Sequence, residues 1–221
     1  MIKDKIAKDI DSIKSKNLFR ELKVIEGIQG NRVLVKDKWL INFASNDYLG
    51  LSQNQKIKKS IIEGIREFGA GSSASHLVSG HFTSHDAVEK KMARLLGFER
   101  SLFFSSGYMA NMSVLGGLVK RSDAVFCDKL NHASLNDSAV LSRAKIYRYN
   151  HLDLNMLEKQ IKRSQEKNKW IITDGVFSMD GDTANIEGLL DLCKEYEAYL
   201  FIDDAHGYGV IGKNGQGILS N

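Results

Sequence analysis

From residue 101 to residue 203, short apolar runs and helical patterns take turns, and this alternation narrows the folds open to the chain more than any other feature. The runs 101–105, 123–127, 144–149, 170–174 and 199–203 have the length of strands. Between them, 108–119, 133–143, 153–167 and 186–197 carry helical spacing, as in Leu154, Leu157 and Ile161 at i, i+3 and i+7. Strands separated by helices are joined by right-handed crossovers. The pattern therefore predicts an α/β fold, a mostly parallel sheet covered by helices on both faces.

Upstream the signals are local. Ile6, Ile10, Ile13 and Leu18 suggest an amphipathic surface helix, and the alternating charges around them are those of neither a signal peptide nor a membrane span. Residues 31–43 predict a hairpin turning at Lys36-Asp37-Lys38. Ser52 and Gln55 have capping-box spacing ahead of Ile57, Ile61, Ile65 and Phe68, with Gly69 as the stop. Val88, Met92, Leu95 and Leu96 mark a further helix closed by Gly97. Of the 221 residues 43% are hydrophobic, enough for a sizeable core. The net charge of +4 is too balanced to point to nucleic acid. Cys127 and Cys193 stand alone, without metal or redox spacing, and read as buried free thiols in a reducing, cytoplasmic setting.

In an open parallel sheet, ligands bind beyond the carboxyl ends of the strands. Those ends here carry Ser105-Ser106-Gly107-Tyr108, Asp128 through His132, Asp174 through Gly181, and Asp203-Asp204-Ala205-His206. Four polar strand ends on one edge favour a site over four unrelated solvated turns. Several nearby patterns do not carry one. Gly207, Gly209 and Gly212 have dinucleotide-fingerprint spacing, but no apolar helix follows them. Asp180-Gly181-Asp182 begins like a calcium loop, yet Ala184 and Asn185 stand where a ligand and the turn glycine belong. His81 and His85 lie at i, i+4 with no adjacent Glu and no third ligand, so capping or surface roles are expected and no metal site is assigned.

A phosphorylated, planar, electron-withdrawing cofactor suits these strand ends better. Gly107 and Tyr108 open a helix and would present backbone N–H groups to a phosphate. An Asp at a strand end can keep a pyridine nitrogen protonated. An imidazole such as His132 could stack on the ring, and Ser178 or His206 could reach its phenolic oxygen. His132 could equally cap the next helix. Side chains alternate along a strand, so Asp203 and Asp204 should face opposite ways and only one can meet the ring.

The stretches NDYLGLS (46–52), GSSASHLVSG (71–80), SSGYMAN (105–111), NHASL (131–135), DGVFSMDG (174–181) and DDAHGYGVIG (203–212) resemble, in order, those of the α-oxoamine synthases. The resemblance implies the large domain of a fold type I pyridoxal-phosphate (PLP) enzyme. Such enzymes condense an amino acid with an acyl thioester and release carbon dioxide. It implies that Gly107 and Tyr108 contact the cofactor and that His132 stacks on it. Ser178 and His206 would engage its phenolic side, and Asp203 would pair with the pyridine nitrogen. His132, Asp203 and His206 are the implied catalytic residues, and Arg20, Asn46 and His132 those turned to substrate. The motifs are nearest to members that join L-alanine to pimeloyl-CoA or a pimeloyl-carrier protein, with glycine and acetyl-CoA as the alternative pair. A homodimer is implied, with no nucleic-acid or membrane partner.

One departure is implied as well. The lysine that family members link to the cofactor, the last strands of the sheet and the C-terminal small domain would all lie beyond Asn221. The expected organisation is an N-terminal helix and hairpin segment over 1–45 and an incomplete PLP-binding domain over 46–221. On its own the chain is expected to be inactive, either as part of an enzyme or as a non-catalytic binding module.

Overall fold

The computed structural model describes residues 2–220. Backbone contacts divide the chain into two units, one up to Glu63 and one from Gly64 onward.

The first unit opens with α1 (Ile2–Ser15), whose described residues are all at least partly exposed, as a surface helix requires. The expected hairpin is present as β2 (Arg32–Val35) and β3 (Lys38–Ile41). Its turn places Lys36 at φ 49° and Asp37 at φ 61°, the double left-handed geometry that suits a two-residue hairpin loop. A further strand, β1 (Gly27–Gln29), pairs with β2 and makes a three-stranded antiparallel meander that the periodicity did not signal. The capping box at Ser52 is not formed. Leu51–Gln53 is a 3₁₀ turn, and the Ser52 hydroxyl donates to Asp47 Oδ2 at 2.6 Å. The cap of α2 (Gln55–Phe68) is instead Asn54, whose Oδ1 accepts from Lys56 N at 2.9 Å.

In the second unit, α3 (Thr83–Leu96) ends at Gly97 in the left-handed conformation, φ 73°. Then come α4 (Gly107–Leu118), β4 (Ala124–Asp128), α5 (Ala133–Ser142), β5 (Lys145–Tyr149), α6 (Leu154–Arg163), β6 (Lys169–Asp174), α7 (Ile186–Glu195) and β7 (Tyr199–Asp203). The four strands form one parallel sheet in the order β5-β4-β6-β7. The predicted strand at 101–105 is not one. A strand needs a hydrogen-bonding neighbour, and this run gives its polar atoms to α3: the Ser101 hydroxyl donates to Glu89 O and Phe103 N to Glu89 Oε1.

Alternation along the strands builds a core on each face. Ala124, Phe126 and Ile171 pack with Leu157, Ile161, Leu189 and Leu192 from α6 and α7. Val125, Cys127 and Ile172 pack with Leu115, Leu135 and Ala139 from α4 and α5. Cys127 is buried as expected and burial pushes its thiol up to about 12, whereas Cys193 is only partly buried. Phe126, fully buried and stacked on Tyr147 at 4.9 Å, is central to the first cluster. Phe126→Ala is expected to destabilise the protein by about 3–5 kcal/mol in urea unfolding. The same truncation at Leu102, 74% exposed, should be nearly neutral. Equal effects would contradict this placement of the core.

Candidate active site

The site begins where β6 and β7 end. Asp174 and Asp203 are paired in register on these adjacent parallel strands, so both carboxylates project to the α4–α5 face. Asp203 Oδ2 accepts from Asn111 Nδ2 of α4 at 2.6 Å, and its Oδ1 accepts from Ala205 N at 3.0 Å. Asp174 Oδ2 accepts from His132 N at 2.7 Å. Among the described residues, no lysine or arginine makes an ion pair with either acid. Burial pushes Asp174 up to about 6; the His132 amide opposes the shift and repulsion from Asp203 adds to it. Smaller electrostatic contributions from His132 and His206 oppose the shift, so both imidazoles lie within electrostatic range of the same strand end.

Asp204 faces the other way, as alternation requires. Its Oδ2 accepts from Ile218 N at 2.9 Å, and its Oδ1 is buried without a hydrogen-bond partner. Burial holds its pKa above the ordinary value.

Helix α4 brings its N-terminus to this edge. Ser106 caps it, its hydroxyl accepting from Met109 N at 3.2 Å. The first N–H groups of the helix, at Gly107 and Tyr108, belong to those that no intrahelical carbonyl can satisfy. Gly107, Ala110, Asn111 and Asp203 line one side of a cleft of about 530 Å³, with Leu96, Phe98 and Phe201 as apolar wall. No lysine lines it. The Tyr108 hydroxyl is engaged by Asp137 Oδ2 outside the cleft lining.

His132 caps α5, one of the two roles open to it from sequence. Its Nδ1 accepts from Ser134 N at 3.3 Å and lies 2.7 Å from Ser134 Oγ. Accepting from that amide keeps Nδ1 unprotonated and leaves Nε2 as the donor of the neutral ring. Ser134 Oγ also accepts from Asn111 Nδ2 at 2.8 Å. A continuous chain therefore runs from His132 through Ser134 and Asn111 to Asp203. Sequence reasoning missed Asn111 as a site residue and gave Asp174 no role. Asn111 lies within the quoted SSGYMAN stretch, but the contact that matters spans 92 residues.

Ser178 is exposed at the tip of the loop between β6 and α7. Arg20 and Asn46 belong to the first unit, both exposed, the former just after α1 and the latter after β3. The glycines from 207 to 212 open no α-helix; a 3₁₀ turn, Lys213–Gly215, follows them. His85 is a cap, its Nδ1 accepting from Phe82 N at 3.0 Å. His81 turns instead to His76, 2.8 Å away, and to Glu89, and these three side chains bring potential ligand atoms within 4.8 Å of one another.

Two acids at parallel strand ends thus stand beside a capped helix N-terminus, with no lysine or arginine ion-paired to either among the described residues. The aminotransferase class I and II model matches residues 38–219, and the chain belongs to that family. It is 48% identical over 214 residues to the 8-amino-7-oxononanoate synthase of Nitrosomonas eutropha, covering 97% of this chain and 55% of that protein. The enzyme of the same name from Dechloromonas aromatica is 47% identical over 224 residues, covering 100% of this chain and 58% of its own length. The chain thus spans about half the length of the curated relatives it matches. Among solved structures, a serine palmitoyltransferase of S. paucimobilis carrying PLP superposes with a TM-score of 0.90 at 26% identity, over 98% of this chain and 55% of that one. The 8-amino-7-oxononanoate synthase of Francisella tularensis gives 0.68 at 33% identity, over 80% and 49%.

The Asp174 environment has a consequence for pH. A buried acid raised from 3.8 to about 6 stays protonated in the folded chain where the unfolded chain has released the proton. Stability should therefore fall as pH rises from 3.8 to about 6, by about 3 kcal/mol in the absence of a bound cation. Asp174→Asn should gain on the wild type across that window in urea unfolding. Parallel pH profiles for the two proteins would contradict the buried, repelled state of Asp174.

Proposed function

We propose that this chain is the cofactor-holding part of a pyridoxal-phosphate-dependent acyltransferase of the α-oxoamine synthase type. The observation that carries the reading is the pair Asp174 and Asp203, two acids in register with which no lysine or arginine forms an ion pair among the described residues. Such a pair suits a cationic ring nitrogen, and the α4 N-terminus beside it suits a phosphate. PLP offers both groups on one planar molecule, and the residues present fit it.

When bound, PLP supplies an electron sink for the carbon–hydrogen and carbon–carbon bonds next to an amino group. The chain's own residues supply the rest. Asp203, oriented by Asn111, would hold a proton on the ring nitrogen, with Asp174 deepening the negative field behind it. The N–H groups of Gly107 and Tyr108 would bind phosphate. His132, its tautomer fixed by Ser134, would cover one ring face and keep Nε2–H as donor towards substrate. Ser178 and His206 would hydrogen-bond the phenolic oxygen, while Arg20 and Asn46 would serve the substrate side.

For the whole protein we propose decarboxylative condensation of L-alanine with pimeloyl-CoA or a pimeloyl-carrier protein to 8-amino-7-oxononanoate, a step in making biotin. Relatives of that name at 47–48% identity support this. For the whole protein we also propose a homodimer, as the resemblance to the α-oxoamine synthases implies. No described helix is long and apolar enough to cross a membrane.

The test is PLP titration of the 221-residue chain followed by fluorescence. Asp203→Ala should weaken binding by about tenfold or more, since a lost charge pair of one to three pKa units is worth about 1.4–4 kcal/mol. Asp204→Ala should affect stability more than binding. Borohydride reduction should label no single lysine stoichiometrically, and the chain alone should form no product. Stronger dependence on Asp204 than on Asp203 in two equally folded variants would overturn the assignment. In the whole protein, a higher specificity constant for glycine with acetyl-CoA would move the activity to that of a 2-amino-3-ketobutyrate CoA ligase.

A further inference from the structure

His151, two residues past the end of β5, stands outside every role assigned so far. Its Nδ1 lies 3.0 Å from Asp128 Oδ1 and its Nε2 lies 2.7 Å from Asp182 Oδ2. The ring meets Phe177 edge-on at 4.4 Å, so it is packed as well as bonded. Both partners are carboxylates and accept only, so both ring nitrogens must donate. The geometry calls for an imidazolium.

Each carboxylate governs a different loop. Asp128 ends β4, is fully buried, and accepts from Leu130 N at 2.9 Å and Leu152 N at 2.8 Å, shaping the turn that leads to Asn131 and His132. Asp182 sits in the loop between β6 and α7, where Phe177 N donates to Asp182 O and Val176 bridges Thr183. That loop carries Ser178 at its tip. Asp182 Oδ1 is buried with no hydrogen-bond partner, so among the described residues the charge of this carboxylate is answered by His151 alone.

We infer that His151 is a positioning residue: as an imidazolium bridging Asp128 and Asp182, it locks the His132 loop and the Ser178 loop into one rigid edge for the cofactor. The part concerning the cofactor rests on the function proposed above; the lock itself does not. Burial opposes the charge on His151, but the hydrogen bonds to Asp182 and Asp128 outweigh it and hold the pKa above its ordinary value of 6.5. The charged groups facing the ring are Asp128 from β4 and Asp182 from the β6–α7 loop. On its own side Asp153 is engaged with Met156 N, and Lys129 with Asn150 Oδ1. A group with a raised folded pKa stabilises below its unfolded value and stops doing so as pH rises through the folded one. The lock therefore persists to higher pH than the charge of an ordinary histidine would and loosens as the ring titrates.

The experiment compares the wild-type chain with His151→Gln and His151→Ala. Imidazole ¹⁵N resonances should show His151 doubly protonated at pH 7. In both variants, hydrogen exchange at 129–132 and at 175–183 should quicken together by about tenfold or more, the scale of a lost charged hydrogen bond. Amides of β4 and β6 should stay protected, which reports that the fold is kept. In the wild type alone, both loops should loosen together as pH passes the His151 titration. PLP affinity should fall in both variants. A neutral His151 at pH 7, or loosening of only one loop, overturns the lock. Loosening of both loops with unchanged PLP affinity overturns its role in positioning. If the wild-type chain binds no PLP, the cofactor reading fails, and the lock stands or falls on exchange and resonance alone.

Discussion

Two negative charges held side by side at the open edge of a parallel sheet set the terms for the rest of this structure. Register places Asp174 beside Asp203, and the sheet cannot relax that pairing without breaking the β6–β7 ladder. The surroundings answer with hydrogen-bond donors: Asn111 and the Ala205 amide for Asp203, the His132 amide for Asp174. Neutral donors soften an anion without cancelling it, so the edge keeps a negative field pointing into the space beyond the strands. A field of this kind, built before any ligand arrives, is the form of preorganisation that stabilises a charged ring nitrogen without rearrangement.

The same donors also tie distant segments together. Asn111 reaches both Asp203 and Ser134, and Ser134 in turn meets His132, so α4, α5 and β7 share one partly buried network. Buried networks of this sort carry stability only when each member is satisfied. Ser134, fully buried, would be an expensive residue if it merely capped a helix. In its observed place it fixes the His132 ring from one side and the Asn111 amide from the other. The cap at His132 is compatible with the ring-covering place proposed for it.

The parts of this architecture that local pattern controls were legible in the sequence. The four paired strands and the helices between them follow from apolar spacing, and the hairpin at Lys36-Asp37 follows from its turn. The opposite facings of Asp203 and Asp204 follow from strand geometry alone. What failed depended on partners that spacing does not encode. Residues 101–105 have a strand's composition but no strand beside them among the described residues, and Glu89 takes their polar atoms. Ser52 has the spacing of a cap, but Asp47 holds its hydroxyl, and Asn54 makes the cap two residues later. Asn111 and His151 could not be read as parts of networks, because their partners lie 92 residues away in one case and 23 and 31 in the other. The resemblance to α-oxoamine synthases implied a set of cofactor contacts but not the hydrogen-bonded neighbours of those residues.

The glycines after β7 show how a motif can mislead and still be explained. Their spacing suggests a dinucleotide site, yet of the three only Gly207 lies against Asp204, while Gly209 faces open space and Gly212 meets Gly217 O. A Cβ at Gly207 or at Gly217 would collide with the Asp204 carboxylate, and one at Gly175 would meet Asp204 Oδ1 at 2.8 Å. Three glycines thus make room for one inward-facing acid, which accepts from Ile218 N and draws the chain after β7 back against the strand end. Alternation forces the residue after Asp203 to face away from the cofactor side, and there it meets packed backbone. An acid, by accepting from Ile218 N, fixes the path of residues 207–217 and with it the position of His206 at the mouth of the strand. The two adjacent carboxylates of this chain therefore divide the work: Asp203 sets the field of the site, and Asp204 shapes the loop that frames it.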